Sequence, residues 1–316
     1  MRVTTNQNPQ AQAESDTDVQ IKSRRKRRRK DELIAWTLLA PGLIAFAIFV
    51  ILPGLGALAL SFMDWRLFDN PSFVGLKHIV RLFKDQNMWK SLGVTVWFLI
   101  LGVIPTTVIG FLLAVIASSP LRGAGGLRVL YFTPMIASSA ITAVLWSNLY
   151  KPKFGIFAQI LSAFGAQAPN WMAAPGITRP ALAIVLIWSA LPVVIILYIA
   201  GIQKVPTDVY AAAALDGANK WQQLWSITWP MVFPTTSVIA VLMFITFLGS
   251  PLEYALLMTD GGPLGETQTL GLYAFKMAFE RRDMGYASAL ALWQLALIGI
   301  AFLVGRSSAK LLRSIR

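Results

Sequence analysis

The sequence lacks cysteine altogether and contains a single histidine, His78, among its 316 residues. Disulfides, thiolate metal sites and cysteine nucleophiles are therefore excluded, and a histidine-rich metal site cannot be built. Charged residues are also scarce, at 14% of the chain, whereas soluble domains average about a quarter. Together with 56% hydrophobic residues, this imbalance is typical of a protein that is solvated by lipid.

Motifs for catalysis and nucleotide binding are missing as well. The chain contains no metal-ligand cluster, no paired carboxylates within its apolar runs and no nucleophile motif beside a histidine, which argues against a membrane enzyme. It has no Gly-x-x-x-x-Gly-Lys phosphate loop, so it does not bind and hydrolyse ATP in the usual way. We therefore expect that this chain binds no cofactor or metal.

Long stretches without charge indicate membrane spans, because an ionised side chain at the bilayer centre costs about 2.5–3.5 kcal/mol. A helix of roughly 20 residues is enough to cross the hydrocarbon core. Seven charge-free runs reach this length, and six of them predict spans over residues 36–62, 92–117, 128–150, 181–201, 231–256 and 285–306. The expected fold class is an all-α integral membrane protein with six transmembrane helices, in which residues 33–316 form the transmembrane domain.

A seventh charge-free run, residues 154–178, differs from the others because it contains several glycines, prolines and glutamines. Glycine and proline are strong breakers of regular structure. We interpret this run as an interfacial loop, with Trp171 near the lipid headgroups.

The first 32 residues are polar and strongly basic, and they contain too few large apolar side chains to build a core. We expect a disordered cytoplasmic tail, because a basic block before an apolar span usually acts as a topology anchor rather than as a nucleic-acid site. With the N-terminus inside, most lysines and arginines fall on the cytoplasmic side of the predicted spans. This asymmetry places both termini in the cytoplasm.

The connection between the fourth and fifth spans, residues 202–230, is more structured than an ordinary loop. Pro206 can start a helix, and Asp208 suits the first turn of that helix. The four alanines at 211–214 have the highest helix propensity of any residue. Asp216-Gly217 then breaks the helix.

A second short helix can begin at Ala218 and expose Trp221, Leu224 and Trp225 along one side, before Pro230 restarts the chain toward the membrane. We predict a helix-turn-helix on the cytoplasmic surface. It either docks on a soluble partner or lies as a hairpin with its tryptophans among the headgroups.

This connection resembles the cytoplasmic loop of the inner-membrane permeases of carbohydrate-importing ABC transporters, close to the maltose and glycerol phosphate type. The family pattern reads Glu-Ala-Ala, two residues, Asp-Gly-Ala, five residues, then an aromatic residue, Ile and Leu-Pro. The matching positions, with spacing intact, are Ala211, Ala212, Ala213, Asp216, Gly217, Ala218, Leu224, Ile227, Trp229 and Pro230. Alanine replaces the glutamate at 211, leucine the aromatic residue at 224 and tryptophan the leucine at 229.

The resemblance covers about residues 33–310 and extends to other segments. These segments are Phe73-Val-Gly-Leu-Lys-His, Leu121-Arg-Gly, Gly261-Gly-Pro and Met284-Gly-Tyr-Ala-Ser-Ala. The outer-face blocks look more like the first of the two permease subunits of such importers.

The resemblance implies a non-catalytic permease subunit in a bacterial or archaeal cytoplasmic membrane, carrying a sugar or related solute. Its implied partners are a second homologous permease, two cytoplasmic ATPases that bind ATP and Mg, an extracytoplasmic solute-binding protein and membrane lipid. The implied ATPase-coupling residues are Ala211, Ala212, Ala213, Asp216, Gly217, Ala218, Trp221, Leu224 and Pro230. The alternatives are a stand-alone secondary transporter or a membrane scaffold, although no internal repeat supports a secondary transporter.

Polar and aromatic residues within or near the span ends are candidates for a sugar pathway, because polar groups inside a membrane tend to face a bundle interior or a cavity. They are Asn148, Trp188, Ser189, Ser250, Glu253, Tyr254, Trp293 and Gln294. The same residues can equally join helices, or face lipid in the case of Trp188 and Trp293. Glu253 is the strongest candidate, because a carboxylate so close to a span needs water or a partner.

Overall fold

The computed structural model describes Lys30, Glu32 and residues 34–66, 70–118, 133–249 and 251–314, with side chains described up to residue 300. Four predicted features lie outside the described residues. They are nearly all of the basic tail, the segment Leu121-Arg-Gly, the start of the third predicted span, and Ser250.

Among the described residues, those up to Ala59 form one compact unit, and those from Leu60 onward form another. The first unit contains most of helix α1, Ile34–Leu60, which includes a π-helical turn at Ala47–Ile51. The most apolar window of α1 has no buried residue. A helix that is apolar all round belongs in lipid or in the core of a large protein.

The second unit begins with two short antiparallel strands, β1 Met63–Asp64 and β2 Ser72–Phe73. The helices that follow are α2 Lys77–Lys84, α3 Gln86–Ser118, α4 Ser139–Leu149, α5 Ile156–Ala163, α6 Thr178–Ile202, α7 Thr207–Leu215, α8 Lys220–Gln223, α9 Trp229–Gly249, α10 Pro251–Met258, α11 Leu270–Phe279 and α12 Met284–Ser314. A π-helical turn, Leu224–Thr228, joins α8 to α9. The prediction of a mostly helical protein is confirmed.

Among the described residues, four helices are long and apolar enough to cross a membrane: Ile34–Leu60, Gln86–Ser118, Thr178–Ile202 and Lys220–Met258. They overlap the first, second, fourth and fifth predicted spans. The third and sixth predicted spans overlap shorter apolar helices, Ser139–Leu149 and Met284–Ile300. The count of six spans stays a prediction.

The core of the second unit lies where α3, α6 and α9 pack together, with Phe98, Ile195 and Ile239 fully buried. Glycine allows two close approaches of α3 to its neighbours. A Cβ atom on Gly102 would overlap the Phe247 ring, and one on Gly110 would overlap Val194. Small residues at such crossings are how membrane helices gain packing contact, since lipid supplies no hydrophobic drive for their association.

The segment that was predicted to be an interfacial loop contains helix α5, so the prediction of a loop was wrong over residues 156–163. Trp171, which follows α5, stacks on Tyr150 at a ring-centroid distance of 5.6 Å, and its indole nitrogen is buried. A cluster of aromatic rings thus holds this segment, which composition alone did not indicate.

Candidate functional site

The predicted helix-turn-helix, residues 202–230, is called the coupling loop below, after the role that the sequence resemblance implies. Its first helix, α7, ends in a Schellman motif centred on Gly217, which has a φ of +82°. Ala218 N donates to Ala213 O at 2.9 Å, and Gly217 N donates to Ala214 O at 3.1 Å. These two bonds satisfy the carbonyls at the helix end, and the left-handed φ favours glycine at this position.

The second helix of the coupling loop begins at Lys220, two residues later than predicted. Asn219 caps it through a reciprocal pair of hydrogen bonds with Gln222. Gln222 N donates to Asn219 Oδ1 and Asn219 N donates to Gln222 Oε1, each at 2.8 Å. This capping box fixes the start of α8 with local bonds alone.

Side-chain hydrogen bonds close the coupling loop on itself. Gln223 Nε2 donates to Ala218 O at 3.0 Å, and the hydroxyls of Tyr210 and Thr228 lie 2.9 Å apart. The Tyr210–Thr228 pair joins α7 to the π-helical turn. The two helices are therefore held together as one element.

Most of the predicted coupling residues lie at the surface. Helix α7 has no buried residue. Ala211, Ala212, Asp216, Gly217, Trp221 and Pro230 are exposed, whereas Ala213, Ala218 and Leu224 are half-buried. Leu215 and Trp221 are 90% and 66% exposed. The coupling loop thus offers an apolar surface made of small and aromatic side chains.

A chain of aromatic rings runs from the coupling loop into the helical core. Trp221 contacts Trp225 at 5.7 Å between ring centroids, and Trp225 contacts Trp229 at 6.0 Å. Trp229 meets Phe111 of α3 at 4.9 Å, and Phe111 meets Tyr198 of α6 at 5.4 Å. We call these five residues the aromatic ladder. It connects the loop directly to two of the long helices.

A cavity of about 160 Å³ lies between α6, α9 and α10. It is lined by Leu186, Ser189, Ala190, Thr246, Phe247 and Tyr254. The Tyr254 hydroxyl donates to Ser189 Oγ at 3.1 Å. Two predicted pathway residues, Ser189 and Tyr254, therefore meet at one cavity.

The remaining pathway candidates that the structure describes lie outside the lining of this cavity. Asn148 and Glu253 are exposed, and Gln294 Nε2 donates to Leu248 O at 2.9 Å. Trp188 packs edge-on against Trp146, and Trp293 packs edge-on against Phe83. Trp188 and Trp293 thus contact other rings in a way that joins helices, which was the competing interpretation of these residues.

Sequence reasoning did not select four of the cavity residues: Leu186, Ala190, Thr246 and Phe247. One of the four could have been selected from the sequence. Thr246 is a polar residue within a long apolar run, although its hydroxyl donates to Leu242 O at 2.9 Å and is therefore satisfied by its own helix. The three apolar residues look like any other core position in the sequence.

A second polar site ties the start of α3 to α11 and α12. The hydroxyls of Tyr273 and Tyr286 both donate to Asp85 Oδ2 at 2.6 Å. Arg81 lies over the Tyr286 ring at 3.8 Å and pairs with Asp283 at 2.7 Å. We call Arg81, Asp85, Tyr273, Asp283 and Tyr286 the Asp85 cluster.

The Asp85 carboxylate stays ionised because its hydrogen bonds outweigh its burial. Burial raises the pKa of Asp85, but the two tyrosine hydroxyls and backbone N–H groups of the following turn lower it, so the net direction is down. Hydrogen bonds to a carboxylate favour its charged form.

Two sequence blocks that carried the resemblance meet beside this cluster. Met284 N donates to Trp65 O at 3.0 Å, and His78 Nε2 lies 3.1 Å from Met63 O. Gly285 fits against both neighbours, since a Cβ atom there would overlap Met63 O and the His78 ring. The blocks around His78 and Gly285 are thus two halves of one packed structure.

The loop between α10 and α11 is tightly bonded but presents an apolar tip. The hydroxyls of Thr259 and Thr267 lie 2.7 Å apart, and Lys276 Nζ pairs with Asp260 at 2.7 Å. Arg179 Nε donates to Glu266 O at 2.8 Å. At the tip, Leu264 has a φ of +52° and is 92% exposed. Such a leucine is held in an uncommon backbone conformation by its surroundings.

Within the described part of the chain, no group of three or more histidine or acidic side chains could hold a metal ion.

Comparison with known proteins identifies the class. Residues 85–314 match the family described as the binding-protein-dependent transport system inner membrane component, and the chain belongs to that family. The family resemblance that the sequence suggested is thereby confirmed. The protein is a membrane-embedded component of a transport system.

Two relatives show how far the similarity extends. The trehalose/maltose transport system permease protein MalF of Thermococcus litoralis is 31% identical over 85% of this chain and 91% of its own length. The probable starch degradation products transport system permease protein AmyD of Thermoanaerobacterium thermosulfurigenes is 27% identical over 86% of this chain and 92% of its own length.

A solved structure shares the fold. It is that of a bacterial alginate ABC transporter in complex with an alginate pentasaccharide-bound periplasmic protein. One chain of this transporter matches with a TM-score of 0.79 and 22% identity, over 88% of this chain and 94% of that chain. At this identity the match shows the fold alone.

Proposed function

We propose that this chain is a permease subunit of an ATP-driven importer that carries a sugar or sugar-derived solute. The sugar class is supported by the transport systems named for its relatives. The observation that carries the coupling role is the coupling loop itself. It is closed by its own hydrogen bonds, yet it leaves α7 without a buried residue and Trp221 largely exposed.

A soluble ATPase on the cytoplasmic side is the partner that fits the coupling loop. Since the chain has no phosphate loop, ATP and Mg bind to that partner and not to this chain. A rigid pair of short helices can be moved as one body when the ATPases close. A second homologous permease would receive the other ATPase in the same manner.

The aromatic ladder can transmit a displacement of the coupling loop to the membrane helices. Trp229 and Phe111 are in direct ring contact, and Phe111 also contacts Tyr198. A displacement of the loop therefore acts on α3 and α6 together. Transport then follows from rocking between two packed arrangements, as is general for such transitions.

The cavity between α6, α9 and α10 is the proposed solute site. The paired hydroxyls of Ser189 and Tyr254 line it together with the Phe247 side chain. A sugar presents hydroxyl groups along its edges and C–H groups on its faces, so it can use both features. A few polar groups in an apolar pocket are the usual arrangement for orienting a ligand.

The tip around Leu264 is the proposed contact for a solute-binding protein on the opposite face. The loop around it is fixed by hydrogen bonds, so little conformational entropy is lost when the exposed leucine is covered. The complex with a periplasmic protein seen for the alginate transporter supports a partner of this kind.

Co-purification tests the coupling role. The tagged chain, its two neighbouring permease and ATPase gene products, and a Gly217→Val variant are expressed and solubilised in detergent. A β-branched residue at φ +82° strains the turn by about 1–2 kcal/mol or more, whereas asparagine tolerates this conformation. We expect wild type and Gly217→Asn to retain the ATPase, and Gly217→Val to lose it or to lose solute-stimulated hydrolysis.

If no ATPase co-purifies with the wild-type chain under conditions where the second permease does, the coupling role is wrong. If Gly217→Val retains fully coupled hydrolysis, the loop is not the coupling element.

Uptake measurements test the cavity. A transported sugar is first identified by screening radiolabelled mono-, di- and trisaccharides with the assembled complex. Tyr254→Phe and Ser189→Ala should each reduce uptake at low sugar concentration by roughly 5-fold, which corresponds to about 1 kcal/mol for one hydrogen bond. Because both changes act on one pair, the double variant should lose less than the sum of the single losses. Unchanged uptake in both variants would exclude this cavity from the pathway.

A further inference from the structure

Helix α5 is apolar on two sides, and only one side is used inside the protein. On the inner side, Ala158 is buried and the Phe157 ring packs among Trp146, Tyr150 and Trp171, with centroid distances of 5.5–6.3 Å. These contacts fix the position of α5 against α4 and the segment before α6. The outer side of the helix contributes nothing to this packing.

The outer side of α5, together with residues that flank it at both ends, presents a stripe of large apolar residues. Phe154, Ile156, Ile160 and Phe164 are exposed by 79%, 53%, 50% and 84%. Ile156, Ile160 and Phe164 are spaced four residues apart, so they lie along one side of the helix. We call these four residues the α5 stripe.

The polar residues of α5 are already satisfied locally. Gln159 Nε2 donates to Phe154 O at 3.2 Å, and Ser162 Oγ donates to Gln159 O at 2.8 Å. The sequence has no charged residue from position 154 to position 178. A protein partner usually meets a polar rim around an apolar centre. Charged residues border the α5 stripe in sequence only at its start, where Lys151 and Lys153 precede Phe154, so the stripe is better suited to lipid than to protein.

The neighbouring helix α4 also exposes large apolar side chains. Ile141 and Val144 of α4 are 62% and 64% exposed, and α4 is itself apolar. Between α4 and α5 lie Lys151 and Lys153, both exposed. Basic residues at the junction of a span and an interfacial helix place their charges at the headgroups while their apolar stems stay in contact with lipid.

We propose that α5 is an interfacial helix that lies at the boundary between lipid headgroups and acyl chains. The leaflet concerned is the one at the C-terminal end of α4, from which the chain continues into α5. The α5 stripe is inserted into lipid, and Gln159 and Ser162 face the headgroups. This placement holds the aromatic cluster of Trp146, Tyr150 and Trp171 at the membrane surface. It depends on membrane embedding and not on the proposed transport of sugar.

Site-directed spin labelling tests this placement, and the absence of cysteine makes each label unique. Ile160→Cys and the matched Ser162→Cys, both at exposed positions of α5, are labelled with a nitroxide. The full chain is reconstituted in nanodiscs of phosphatidylcholine and phosphatidylglycerol, with and without its second permease. Power saturation then compares accessibility to oxygen, which concentrates in lipid, with accessibility to a water-soluble nickel chelate.

We expect the label at 160 to be at least several-fold more accessible to oxygen than to the nickel chelate, and the label at 162 to show the reverse. Both values should be unchanged by the second permease. High nickel accessibility at 160 would place the α5 stripe in water and overturn the proposal. Low accessibility to both reagents at 160, appearing only with the second permease, would overturn it in favour of a protein interface.

Discussion

The coupling loop and the Asp85 cluster hold their shape in opposite ways. In the coupling loop, the bonds are short in sequence: the Schellman turn at Gly217 and the capping box at Asn219 join residues three to five positions apart. In the Asp85 cluster, the Tyr273 and Tyr286 hydroxyls reach a carboxylate 188 and 201 positions away. One region is stabilised locally and the other by long-range side-chain contacts.

This difference explains which of the two regions leaves side-chain surface exposed for binding a partner. Local bonds fix most of the coupling loop, and in α7 only Tyr210 and Ala213 are half-buried, so the rest of the surface of this helix is exposed. The Asp85 cluster uses its polar groups on one another and thereby joins α3, α11 and α12. A loop that moves with a partner, which is the role proposed for residues 202–230, and a joint that holds three helices have opposite requirements, and the two constructions match them.

The largest loss of stability is expected at Gly285, where long-range contacts leave no space for a side chain. Gly285→Ala should lower the free energy of unfolding in detergent by about 2–3 kcal/mol, because the new Cβ would overlap Met63 O and the His78 ring. Gly299→Ala on the same helix is the matched control, since nothing lies within 4 Å of its Cβ position. Chemical denaturation measures both. Equal stabilities of the two variants would show that the packing at Gly285 is not restrictive.

The next effect is expected at Asp85. Asp85→Asn should lower the free energy of unfolding by about 2 kcal/mol, because the charge-assisted hydrogen bonds that both tyrosines donate are replaced by neutral ones. The pKa of Asp85 is lowered in the folded protein, so its contribution is present above the unfolded pKa of about 3.9 and is lost as the pH falls through the folded pKa.

The thermal midpoint of wild type should therefore fall relative to that of Asp85→Asn as the pH is lowered below about 4. Asp64→Asn is the control, because its partner Lys77 is 61% exposed and surface pairs are worth about 0–1 kcal/mol. A pH dependence that is the same in wild type and Asp85→Asn would mean that the cluster does not depend on an ionised carboxylate.

The smallest global effect is expected in the coupling loop. Asn219→Ala removes the N-terminal cap of α8 and should lower the local stability of the coupling loop by about 1 kcal/mol. This cost should appear as faster amide hydrogen exchange confined to residues 207–228, with little change in global unfolding, because the loop is a local unit. Asn170→Ala, at an exposed position in another loop, is a control for the substitution itself. Exchange that accelerates equally in α3 and α6 would show that the loop is not locally stabilised.

Much of the coupling loop could be predicted because its structure is local. Pro206, the alanine run and Gly217 gave the first helix and its end, and Asn219 with Gln222 is a readable capping box that shifts the second helix to Lys220. The Tyr210–Thr228 bond could not be read, since it depends on how two helices cross.

The rest of the site resisted prediction for a physical reason. The cavity is formed where α6, α9 and α10 meet, so its apolar lining looks like core in any single stretch of sequence. Ser189 and Tyr254 were found because they are polar residues in apolar runs, whereas Glu253, the strongest candidate, is exposed on α10 outside the lining of the cavity. The assignment of coupling and pathway roles stays a prediction. In residues 154–178, glycines and prolines favoured a loop, and the eight-residue helix α5 between them was missed.

The aromatic ladder has a further use, because three of its five members are indoles. Trp221 is 66% exposed and Trp229 is only half-buried, with Trp225 in contact with both. Covering the outermost indole would shift its emission toward the blue and shield it from acrylamide. The difference in emission between wild type and Trp221→Phe isolates this indole from the ten other tryptophans of the chain, so the docking of a partner on the coupling loop can be followed in real time without attaching a dye.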